Sequence, residues 1–101
     1  MVKITIQEID DSLVAVMDGR FDTPSSAKAR TDLEPLFHCD DKDVIFDCTD
    51  LVYIASSGLR ILLEILDHVK SHGNHVYMKG ISGTIKEAFK MTGFINIFEF
   101  I

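Results

Sequence analysis

A chain of 101 residues, 47% of them hydrophobic, is one domain: long enough to bury a single core without metal or disulfide staples and too apolar to remain disordered. Its net charge of −6 is lopsided, with 12 acidic against 5 basic residues in 1–50 and 4 against 5 in 51–101, so it offers no basic stripe to displace counterions from a nucleic acid. No apolar run reaches the ~18–20 residues that cross a bilayer, and MVKITIQEID alternates instead of forming a signal peptide, so a cytoplasmic protein with no membrane or nucleic-acid partner is expected. Cys39 and Cys48 have no metal-binding spacing and fit reduced thiols, Cys48 inside the core.

In chain order, Val2, Ile4 and Ile6 alternate with polar residues as a half-buried strand does. Asp10-Asp11 supplies turn chemistry, and Leu13 to Met17 reads as a second strand that Gly19 ends, making a hairpin. Asp22-Thr23-Pro24 then starts a helix, with Asp22 or Thr23 as cap and Pro24 in the first turn. Ala29, Leu33, Leu36 and Phe37 share a face, and Pro35 predicts a kink or loosening before His38. After a polar loop, Asp40 to Asp43, the run Val44-Ile45-Phe46 suits a strand buried on both faces, and Leu59 to Val69 carries helical spacing. Gly73 marks the next break, Val76 to Met78 a strand, and Ile85, Ala88, Phe89 and Thr92 a helix that Gly93 stops. Ile95 to Ile101 completes the order ββαβαβαβ as a last apolar strand. That order predicts an α/β fold: a mixed sheet opened by an N-terminal antiparallel hairpin and continued by three right-handed crossover helices.

The chemistry concentrates between the Val44 strand and the Leu59 helix. Ser56 and Ser57 precede the helical pattern, so at least one hydroxyl is expected to cap its first turn, where unpaired N–H groups gather and a phosphate would find a favourable dipole. That helix has an apolar arc of about 200°, wider than the roughly 100° that a surface helix needs. Ile61 and Ile65, on its rim beside Arg60, therefore either meet a neighbouring helix or form part of a partner's landing site. Glu64, His68 and His72 at i, i+4 and i+8 superficially suggest a metal site, but no HExxH or other ligand completes it, and a solvated face is expected. Asp22, Asp47 and Asp50 could gather near strand ends and hold Mg²⁺, or serve as caps and turn residues. IASSG lacks the first glycine of GxSxG and no GxxxxGK[ST] occurs, so catalysis is not expected, and GISG at 80–83 reads as a turn.

The motifs GRFD at 19–22, DLVYIASSGLR at 50–60, the strand and GIS turn from Tyr77 to Ser82, and FKMTGFINIFEF at 89–100 lie in one family's order and spacing. On them the chain resembles STAS domains, and within these the small bacterial anti-sigma-factor antagonists. The resemblance implies a non-enzymatic regulator without cofactor. An anti-sigma factor serine kinase would phosphorylate it, a PP2C-type phosphatase would reverse this, and only the unmodified form would dock on the kinase. The family's phosphoserine falls on Ser56, with Ser57 as second choice, and the implied partner surface takes in Asp22, Ala55, Ser57, Gly58, Arg60, Ile61 and Ile65. Where many members carry an aspartate before the serine, this chain has Ala55, which favours the alternative of a scaffold or a small-ligand or nucleotide-sensing STAS module that is never phosphorylated. Many relatives also continue past the last strand into another helix; here Phe98 or Phe100 is expected to lie bare and invite a homodimer.

Overall fold

Residues 1–101 are described by a computed structural model. β1 (Val2–Ile9) and β2 (Ser12–Phe21) pair antiparallel around a two-residue turn, in which Asp10 and Asp11 both take positive φ, 51° and 64°. This is the mirror-image turn whose twist suits a hairpin, and aspartate tolerates it. β3 (Asp43–Ile54), β4 (Val76–Lys79) and β5 (Glu99–Phe100) then add in parallel, giving the order β1-β2-β3-β4-β5. Each crossover steps one strand in the same direction, so right-handed connections carry the helices to one face of the sheet. The burial pattern agrees. Met17, Val44, Phe46, Cys48, Val76 and Met78 are buried under the helices, whereas their neighbours Val16, Ile45, Asp47 and Tyr77 on the other face are only partly covered. The run at Val44 therefore belongs to a strand covered fully on one face, not on two.

The segment after β2 is not one helix. A 3-10 turn (Thr23–Ser25) leads into α1 (Ser26–Asp32), and α2 (Glu34–Phe37) follows across a break at Leu33, because Pro35 cannot sit inside a continuous helix. α3 (Ser56–Ser71) is the central helix, burying Leu59, Ile61, Leu62, Ile65, Leu66 and Val69. α4 (Gly83–Thr92) is capped by Ser82, whose Oγ accepts from the Ile85 N–H, which accounts for GISG as turn and cap.

Three boundaries differ from the sequence reading. β2 passes through Gly19 to Phe21, with φ +101° at the glycine and a register shift against β3; a Cβ there would lie 2.8 Å from the Met1 carbonyl oxygen. β3 extends eight residues beyond Phe46, because its backbone keeps pairing with β2 after the alternation fades. The closing strand shrinks to Glu99–Phe100 behind a 3-10 turn (Phe94–Asn96). Phe98 is buried there against Phe89, ring centroids 5.4 Å apart, and Phe100 is half-buried 5.7 Å from the same ring, so neither is the bare surface that the sequence suggested.

Candidate functional site

The C-terminal end of β3 delivers the chain directly to the start of α3. Ala55 is held extended (φ −83°, ψ 165°) by its N–H bond to the Phe21 carbonyl at 2.8 Å, and Ser56 opens the helix. The cap position is thus Ala55, and no side chain caps this end. The serines lie inside the first turn, one residue too late for either hydroxyl to cap as expected. Gly58 lets this turn press onto the sheet: a Cβ would fall 2.9 Å from Phe21 Cδ1 and 3.0 Å from Ile54 Cγ1.

The two hydroxyls have different fates. Ser57 is half-buried and its Oγ lies 2.7 Å from Ser26 Oγ, while Ser26 donates to the Asp22 carbonyl at 3.2 Å. The Asp22 carboxylate accepts from both the N–H and the hydroxyl of Ser25, and that hydroxyl above all lowers its pKa. Asp22 therefore fixes the loop against which Ser57 rests. Ser56 is exposed and its hydroxyl makes no hydrogen bond within the protein.

Ser56 stands on a ridge between two grooves. One, about 450 Å³, runs between α1 and α3 and is lined by Ser26, Arg30, Ser57, Arg60, Ile61 and Glu64 as well as Ser56. The other, about 300 Å³, runs towards the end of α4 past Leu59, Leu63, Thr92 and Phe94. Arg30 forks onto both Glu64 oxygens at 2.7 and 3.2 Å, which lowers the Glu64 pKa, whereas the exposed Arg60, one turn after Ser56, has no ion-pair partner.

Ile61 and Ile65 resolve to the packing alternative, 5% and 0% exposed, and Ile65 cannot meet a partner without unfolding the helix. The exposed apolar surface lies elsewhere: Val52 is 57% exposed and Met91 83%, with Tyr53 beneath Arg20, whose guanidinium carbon sits 4.4 Å from the ring centroid. Tyr53 and Met91 border a further open depression between the end of β3 and α4. The signal for this surface was present in DLVYI, where two adjacent residues, Val52 and Tyr53, face solvent between the buried Leu51 and Ile54 and break the strand alternation.

The acidic candidates do not converge. Asp47 sits opposite Val16 in the sheet and bonds the Thr49 hydroxyl at 2.6 Å, which lowers its pKa, while Asp22 serves its own turn. Glu64 is taken by Arg30. His68 and His72, however, meet Asp40, a residue that the helical spacing did not bring into view.

The model of the STAS domain family matches residues 3–101, and the chain belongs to that family. BtrV of Bordetella bronchiseptica, provisionally named an anti-sigma factor antagonist, is 25% identical over 97 residues, which cover 96% of this chain and 84% of BtrV. An anti-sigma factor antagonist of Mycobacterium paratuberculosis superposes with TM-score 0.83 at 16% identity over 99% of this chain and 85% of its own. The Bacillus cell fate determinant SpoIIAA, solved in its phosphorylated form, gives TM-score 0.74 at 14% identity, covering 98% and 89%.

Proposed function

We propose that this STAS domain is an anti-sigma factor antagonist that works by partner switching, with Ser56 as the switch. Unmodified, it docks through the start of α3 on an anti-sigma factor serine kinase in the cytoplasm and so frees a sigma factor; phosphorylated, it is released until a PP2C-type phosphatase resets it. The observation that carries this reading is the contrast between the serines: Ser56 is exposed and unbonded on a ridge between two grooves, and Ser57 is tied to Ser26. The names of its relatives, and the phosphorylated state of one of them, support the same assignment.

Magnitude favours this position for the switch. Turning a complex from almost all bound to almost all free takes about 5.5 kcal/mol, whereas an exposed ion pair changes affinity by about 0–1 kcal/mol. A phosphate must therefore fall inside the contact, where its added charge of about −1.5 to −2 is desolvated against the partner. On Ser56 it would stand between the groove lined by Ser26, Arg30 and Glu64 and the groove lined by Leu59, Leu63, Thr92 and Phe94, with Arg60 bordering both.

Capture with Ser56→Ala and Ser56→Asp baits, side by side from lysate of the source organism, tests the reading. An ATPase-fold kinase retained by the alanine bait alone is the expected result. Equal retention by both baits removes Ser56 as the switch, and capture of the same non-kinase protein by both favours a scaffold or ligand-sensing role.

A further inference from the structure

We propose that Asp40, His68 and His72 form a binding site for a divalent transition-metal ion of the zinc class. The site joins the C-terminal turn of α3 to the loop that leads into β3.

His68 in the last turn of α3 and His72 at its C-cap lie four residues apart, their ring centroids 4.6 Å apart. Asp40 Oδ1 approaches His68 Nε2 at 3.1 Å and His72 Nε2 at 3.5 Å, and the donor atoms of all three residues fall within 4.8 Å of one another. Two ligands bound to zinc at about 2.0–2.1 Å in tetrahedral geometry are separated by about 3.3 Å, so two of the three edges already have a metal site's length. Small rotations of the exposed side chains can close the third.

Outer contacts orient His72 and hold the Asp40 loop. His72 Nδ1 donates to the His68 carbonyl at 2.9 Å, which leaves the Nε2 lone pair turned towards Asp40. Asn74 Nδ2 donates to the Asp40 carbonyl at 3.2 Å and anchors the loop that carries the carboxylate. His38 and His75, by contrast, each meet one carboxylate, Glu34 at 3.0 Å and Glu99 at 2.9 Å, and have no second imidazole.

Two imidazoles and a carboxylate suit Zn²⁺, Co²⁺, Ni²⁺ or Cu²⁺ better than Mg²⁺ or Ca²⁺, which prefer all-oxygen shells. Only three protein ligands are present, so the fourth position would be open to water and binding readily reversible. His72 is 16 positions after Ser56, about 24 Å along the helix, which separates the site in space from the proposed switch.

Titration of the purified protein with Zn²⁺ alone, followed by calorimetry and by the imidazole resonances in NMR, tests the site. Saturable binding of one ion per chain is expected, with shifts at His68 and His72 and none at His38 or His75, and affinity at least tenfold weaker in His72→Ala and in Asp40→Ala. The Tm should rise with Zn²⁺ in the wild type and stay constant in His72→Ala. No saturable binding, shifts centred on His38 or His75, or undiminished affinity in a His68→Ala/His72→Ala double variant would overturn the proposal. The NMR readout on the wild type decides it even if a variant folds poorly.

Discussion

The start of α3 depends on Gly58 and Ala55 for reasons of space and capping. A Cβ at 58 would meet the Phe21 ring at 2.9 Å, with Ile54 as close on the other side, in a core that cannot yield on both. Gly58→Ala should cost about 1–3 kcal/mol in urea unfolding despite the better helix propensity of alanine. Ala55 has the extended backbone of a cap and lacks a capping oxygen. Ala55→Asp should therefore add about 1 kcal/mol and raise Tm by about 4–8 °C, and an unchanged Tm would mean that the side chain cannot reach the N–H groups. The serine pair was legible in the sequence as a helix start and a phosphoserine candidate. Which hydroxyl is free was not, because the bond that occupies Ser57 comes from Ser26, 31 residues earlier.

At the scale of elements, α3 owes its place to burial of one broad face. Its wide apolar arc was visible, but side-chain period alone could not decide whether Ile61 and Ile65 met the protein or a partner; α1 and α2, packed alongside, supply the answer. Ile65→Ala is expected to cost about 2–5 kcal/mol of stability, the range for a buried large-to-small change, while kinase binding by the folded fraction stays unaltered. A selective loss of binding with normal stability would return Ile65 to the interface. The strand ends were misread for a related cause. β3 runs on across a register shift at Thr49 to Asp50 and beyond, where backbone pairing to β2 resumes, and the apolar run from Ile95 mostly packs aromatic rings around Phe89 instead of alternating along a ladder. Asp40 escaped notice likewise, since loop and helix C-terminus meet only in the fold.

Across the whole molecule, the helices cover one face of the sheet and Cys48 lies in the layer between. Burial pushes its thiol from the ordinary 9.0 up to about 12. The unfolded chain therefore loses this proton first: the stabilisation is whole below about pH 9 and declines as pH rises towards about 12, by up to about 1.4 kcal/mol per pH unit. Cys48→Ala should lose stability less steeply than the wild type between pH 9 and 11 when both are unfolded in urea; parallel pH profiles would show that the thiol ionises freely.

The proposed switch lies on the rim where β3 enters α3, and the central claim is that one hydroxyl there is the regulated atom. The most direct test is to isolate the protein from source cells with phosphatases inhibited, then map phosphate by fragmentation mass spectrometry. The account predicts a single phosphate on Ser56 and none on Ser57. Phosphate on Ser57 alone, or none at either serine under any growth condition that activates the kinase, would contradict it.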